Sequence, residues 1–172
     1  MSNLDILGYV KQGRAFWAAN QLAKATTALS TTNTGLILYN PWGSGKRLVI
    51  YSASWTYTTL PTGIGGVFIT LGNAVSAGAT PSGTADVIWN ADGSGVAAST
   101  AAKVFTIATT LVVNVYAWPL ASVATGTTVA NAPPPNLPEG GICVAPGNYA
   151  SINHFTTVAT GVGSFQWIEI DV

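Results

Sequence analysis

Charge is what this sequence has least of. Of 172 residues, six are Lys or Arg and six are Asp or Glu, so charged residues make up 7% and the net charge is zero. Globular domains usually carry about a quarter. A folded monomer of 17.6 kDa exposes roughly 8,000 Å², or on the order of one charge per 660 Å². Without a basic surplus there is nothing to neutralise a phosphate backbone, and no nucleic-acid partner is expected. The single cysteine, Cys143, excludes an internal disulfide framework and a multi-thiolate zinc site. Abundant apolar residues, 48% of the chain, argue against global disorder.

Long apolar runs are missing as well. The tracts Leu48–Ala85 and Val104–Pro138 lack charge, yet Gly, Pro, Thr, Ser or Asn interrupts each before 18 apolar residues accumulate. A spanning helix is not expected. An outer-membrane barrel would need an export signal, and the start MSNLDILGYVKQG has Asp5 and no basic region before an apolar core. There is no N-x-S/T sequon. The expectation is a chain made in the cytoplasm, with no membrane partner.

What is present is β-type patterning. Branching at Cβ favours extended backbone, and Thr, Val and Ile are everywhere. The clearest strand runs from Lys46 to about Thr58. Its odd positions carry Val49, Tyr51, Trp55 and Tyr57; its even positions begin with Leu48 and Ile50, then turn to Ser52, Ser54 and Thr56. The buried face therefore changes partway, as in a strand that bends or changes sheets. Leu111–Trp118 and Ser164–Val172 alternate cleanly, the latter placing Trp167, Glu169 and Asp171 on one face. Shorter runs are Leu36–Asn40, Gly66–Leu71, Asp86–Trp89, Lys103–Ile107, Ile142–Val144 and Asn148–Phe155. Turns fall at Asn40-Pro41, Gly43-Ser44-Gly45, Asp92-Gly93 and Pro146-Gly147. Many short strands between Gly-rich turns predict an all-β sandwich or barrel. Two segments stand apart. Residues 1–30 read as an N-terminal arm, with Phe16–Ala25 either a short helix or extended. Within the sandwich domain of residues 31–172, residues 119–139 form a long Ala/Thr/Pro segment, with Pro133, Pro134 and Pro135 in polyproline conformation.

The motifs that suggest chemistry have plainer readings. Gly43-Ser44-Gly45-Lys46 lacks the first Gly and the final Ser/Thr of a phosphate loop, and its lysine opens a strand. Gly93-Ser94-Gly95 has no βαβ unit around it, and Asn90–Gly93 lacks the acidic ligands of a calcium loop. His154, the lone histidine, sits in a strand-like run, and Cys143 reads as a small buried hydrophobe. Glu169 and Asp171 share a strand face, where a polar rim is simpler than acid–base work. No catalytic, metal or cofactor residue is assigned, and an enzyme is not expected.

Aromatics weigh more. Trp17, Trp42, Trp55, Trp89, Trp118 and Trp167 accompany Tyr51, Tyr57 and Tyr116. A sandwich core accounts for about half of them. The rest, flanked by Ser, Thr and Asn, have the aromatic-rich, charge-poor composition of an interface. The candidate interface residues are Phe16, Trp17, Trp42, Trp55, Tyr57, Pro133, Pro134 and Pro135. Sugar-binding surfaces are built alike, so a glycan partner stays open.

The stretch TGLILYNPWGSGKRLVIYSAS, and later LPEGGICVAPGNYASI, a Thr/Ala/Gly turn and FQWIEIDV, resemble small structural proteins of tailed bacteriophages. The likeness runs from Thr34 over about two-thirds of the chain, with a poorly matching middle. It implies a jelly-roll-like antiparallel β-sandwich, commonly a homotrimer, displayed on the virion. It does not separate capsid cement (decoration) proteins from head fibres and tail-fibre modules. Charge poverty favours cement, with the major capsid protein or other virion proteins as partners and the N-terminal arm and residues 119–139 as docking elements. A receptor- or glycan-binding tail-fibre module is the alternative.

Overall fold

The computed structural model describes residues 5–20, 24–26, 35–59, 65–73, 81–108, 115–123, 137, 140–154 and 159–172. It opens on helix α1 (Ile6–Lys11). Strands then follow in the order β1 (Ala15–Ala19), β2 (Lys24–Thr26), β3 (Leu36–Tyr39), β4 (Lys46–Thr59), β5 (Gly65–Asn73) and β6 (Gly83–Ala85). The second half holds β7 (Trp89–Asn90), β8 (Lys103–Ala108), β9 (Val115–Val123), β10 (Ile142–Val144), β11 (Asn148–His154) and β12 (Ala159–Asp171). Among the described residues they form two six-stranded antiparallel sheets, an all-β sandwich. One has the order β10-β4-β12-β1-β7, with β2 also on β12; the other is β6-β8-β3-β11-β5-β9.

Period-two alternation builds the core between them. Phe16, Ala18, Leu48, Ile50, Phe165 and Trp167 point inward from the first sheet and meet Leu36, Leu38, Val67, Ile69, Ala150 and Ile152 from the second. Trp167 and Phe165 are fully buried; burying such a side chain stabilises by roughly 1.5–3 kcal/mol.

The change of face expected in Lys46–Thr58 has a specific cause. Trp167 pairs with Ile50 and Gln166 with Ser52, so Tyr51 is the extra residue of a β-bulge. Before it, Leu48 and Ile50 face the core; after it, Ala53, Trp55 and Tyr57 do. One inserted residue thus swaps the parity of a strand that never leaves its sheet.

Several boundaries differ from the sequence reading. Residues 15–19, read as part of the N-terminal arm with helix or extended backbone left open, are extended and form a strand inside the sheet, paired to Ser164–Ile168. Their burial explains this: Ala15, Phe16 and Ala18 are at most 3% exposed. Ahead of them, Asp5 caps α1 by accepting from the Gly8 N–H at 2.9 Å. Gly13, at φ +66°, ends it, with Gly13 N–H donating to Val10 O and Arg14 N–H to Tyr9 O. The Thr/Ala/Gly turn before the last strand is partly strand as well, since β12 starts at Ala159. Glycine suits both positions there: a Cβ at Gly161 would collide with Thr56 O and the Trp55 ring, and one at Gly163 would meet Ile152 Cδ1 at 2.7 Å with the Trp55 ring beside it. Residues 119–123, expected in the Pro-rich segment, belong to β9; Leu111–Asn114 and Pro133–Pro135 lie outside the described residues.

Asn40-Pro41-Trp42-Gly43-Ser44-Gly45 carries the chain from one sheet to the other, and Pro146-Gly147 does the same between β10 and β11. Buried Asn40 joins the two corners. Its amide donates to Lys46 O at 2.8 Å and Val144 O at 2.9 Å, while Ser44 Oγ donates to its Oδ1 at 2.7 Å. Its backbone N–H donates to Asn148 O and its carbonyl accepts from Gly147 N–H. The motif that superficially suggested a phosphate loop is a sheet-crossing corner.

Candidate interaction face

The strand registers place the outer side of the first sheet in rows. The first row, Ala15·Ile168·Val49·Cys143, runs across β1, β12, β4 and β10. Tyr9 and Val10 of α1 pack on its apolar members. The second row is Trp89·Trp17·Gln166·Ser52, from β7 to β4. Below it stand Ala19·Ser164·Ser54 and then Val162·Thr56. Helix α1 packs on the first row, and no charged residue occurs in the others. Trp17, Gln166, Ser54 and Thr56 are exposed. The Ser54 and Ser164 hydroxyls bond each other at 2.8 Å. Trp17 and Trp89 stack, with ring centroids 6.2 Å apart and planes 25° from parallel.

The five predicted interface residues that are described do not share one surface. Phe16 is 3% exposed and tilts against Trp167 in the core. Trp55 and Tyr57 face inward and meet edge-to-face at 5.9 Å. Trp42, 73% exposed, sits on the sheet-crossing corner. Of the five candidates among the described residues, Trp17 alone lies on the uncharged face, beside Trp89 and Gln166, which were not among the candidates; Pro133, Pro134 and Pro135 lie outside the described residues. The odd–even alternation of β1 was the signal: Trp17 sits opposite in parity to buried Phe16 and Ala18.

Charge is segregated. Asp5 and Lys11 flank α1, and Arg14, Lys46, Arg47 and Lys103 lie at the strand starts of the same end of the sandwich. Glu169 and Asp171 close β12 there, and Asp92 sits on the turn after β7. Asp86, which accepts from Thr106 Oγ1, lies between the ends. At the opposite end, where β4 finishes and β5 and β12 begin, Lys24 of β2 is the one charged residue among the described strands.

At the charged end Gly13, Arg14, Lys46, Ser99, Thr100, Glu169 and Asp171 line an open cleft. Glu169 is 5% exposed and accepts from Thr100 Oγ1 and the Ala102 N–H. It is a buried structural acceptor rather than a rim residue. Asp171 is gripped by Lys46 Nζ and by Arg14, whose Nη2 stands 3.0 Å away. The Lys46 hydrogen bond and the charge of Arg14 hold its carboxyl below the usual carboxylate range. A carboxylate so held is poorly matched to acid–base work near neutrality. Among the described residues no three His, Cys, Asp or Glu side chains are grouped to hold a metal ion, and no helix is long and apolar enough to cross a membrane.

Buried His154 sits near the charge-poor end, 3.4 Å from the Tyr57 hydroxyl through Nε2. Burial lowers its pKa and pushes Tyr57 up to about 12. Cys143, expected to be buried, is exposed on short β10, whose alternation turns it away from core residues Ile142 and Val144.

No family model, curated protein or solved structure matches the chain.

Proposed function

We propose that this chain is a structural subunit of a tailed-bacteriophage virion, a jelly-roll-type homotrimer that cements the head by bridging capsid proteins. The observation that supports this best is the segregation of charge. A subunit with one solvated, charged end and one end whose described strands carry a single charge, Lys24, is suited to pack the latter against neighbours, because little ionised surface there has to be desolvated. The resemblance of the NPWGSGK corner and the closing FQWIEIDV strand to phage structural proteins supplies the virion setting. The partners in this reading are two further copies of the chain and the major capsid protein.

Sedimentation equilibrium of the full chain is expected to give three times the 17.6 kDa chain mass. Thr58→Lys, adding a charge at an exposed position of this charge-poor end, is expected to shift the trimer toward monomer. A wild-type chain that stays monomeric at micromolar concentration overturns the reading. Locating the subunit in an intact particle then separates head from tail. The alternative, a glycan-binding module of a tail fibre, is favoured by one specific observation, the Trp89·Trp17·Gln166·Ser52 row.

A further inference from the structure

We infer that the row Trp89·Trp17·Gln166·Ser52 is a binding platform for a neutral oligosaccharide. The inference rests on the glycan reading just named and stands or falls independently of the head-cementing one. Trp17 and Trp89 supply two stacked rings at one end of the row. An indole face is electron-rich, and the C–H groups on the flat side of a sugar ring are weakly positive, so the two attract beyond simple burial.

Polar groups follow at the spacing of the strands. Neither the Gln166 amide nor the Ser52 hydroxyl has a side-chain hydrogen-bond partner among the described residues. The amide offers two donors and an acceptor and the hydroxyl one donor and two acceptors, all neutral. Such groups match sugar hydroxyls. Neighbouring strands lie about 4.8 Å apart, so the row from β7 to β4 spans roughly 14 Å, room for more than one ring. With no charged residue in this row or the two beyond it, the face offers no cation to pair with a phosphate or a sugar acid. A protein partner is less well served: beyond the tryptophans the exposed positions are Gln, Ser and Thr, whereas the centre of a protein interface is apolar and closely packed.

The test titrates the full chain separately with maltohexaose, cellohexaose, chitohexaose and mannohexaose, reading tryptophan emission and the indole N–H resonances. Polygalacturonate and heparin serve as charged comparators. At least one neutral oligosaccharide is expected to saturate the signal, with an affinity unchanged by 0.5 M NaCl. Trp17→Ala is expected to weaken it about tenfold, a loss of roughly 1.4 kcal/mol. Gln166→Ala, at an exposed position where folding is not at stake, should weaken it a few-fold, and Trp42→Ala should leave it unchanged. The inference is overturned if none of the four binds, or if only the charged polymers bind. It is equally overturned if binding survives both Trp17→Ala and Gln166→Ala, or if Trp17→Ala lowers the solution mass, which makes the face a contact between copies. The cementing proposal is read from the mass of the unmodified chain, so the two failures are distinguishable.

Discussion

The side-chain amide of Asn40 donates to the carbonyl of Val144 at 2.9 Å, a bond between residues 104 positions apart. The same nitrogen donates to Lys46 O, so one buried side chain holds both corners at which the chain changes sheets. Asn40→Ala leaves two carbonyls without this donor and is expected to destabilise the fold by about 2–4 kcal/mol. Asn40→Asp, which presents an acceptor to both carbonyls, is expected to cost more than Asn40→Ala. Urea unfolding of the two variants checks the order.

Gly163 tests the packing of Trp55. A Cβ at Gly163 would lie 2.7 Å from Ile152 Cδ1 and 3.2 Å from Trp55 Cε3. Gly163→Ala is expected to cost about 1–3 kcal/mol. Ile152→Val removes the methyl group that the new Cβ meets, so Gly163→Ala should cost less in that background. A double-mutant cycle showing simple additivity refutes the stated contact.

The bulge at Tyr51 makes a prediction about chain length. Deleting Tyr51 leaves Leu48, Ile50, Ala53, Trp55 and Tyr57 in unbroken alternation, at the loss of one partly buried side chain. Deleting Ser54 turns Trp55 and Tyr57 to the opposite face. The first variant should remain folded with reduced stability, and the second should lose the cooperative thermal transition. Circular dichroism melts distinguish them.

Acid sensitivity has two separable windows. Burial depresses the pKa of His154 below its usual 6.5, so the unfolded chain binds a proton that the folded chain refuses. Stability should therefore fall as pH drops below about 6.5, by at most about 1.4 kcal/mol per pH unit from this group. His154→Gln should flatten that limb of the profile.

Asp171 acts lower on the scale. Its carboxyl is held below 3.8 by Lys46 and Arg14, so its contribution is present above that value and is lost as pH falls through the lowered one. Wild type and Asp171→Asn should differ at pH 6 and converge toward pH 2, as read by parallel guanidinium titrations.

Much of the sandwich was legible in the sequence because alternation and turn chemistry are local signals. Lys46–Thr58 announced its parity change through Leu48 and Ile50 against Trp55 and Tyr57, and Asp92-Gly93 and Pro146-Gly147 both mark turns, with Gly93 and Gly147 at positive φ. Three features were not legible. Ala15–Ala19 lacks β-branched residues, and it becomes a strand by pairing with a segment about 150 positions later. Gly161 and Gly163 look like turn residues until Trp55 is laid over them. The candidate face eluded composition because Trp17 and Gln166 become neighbours only through the register of β1 on β12. Phe16 and Trp17 are equally aromatic, and alternation sends one to the core and the other to the surface.

Helix α1 has a further consequence for anything that lies on that face. A helix resting on a sheet raises the surface by about 10 Å, and this one packs on the first row. The open rows therefore form a terrace with a wall along its charged side. A flat ligand is stopped by that wall in one direction and free to extend in the other, so the short helix acts as a doorstop. In the proposed glycan reading, it sets where a bound chain begins.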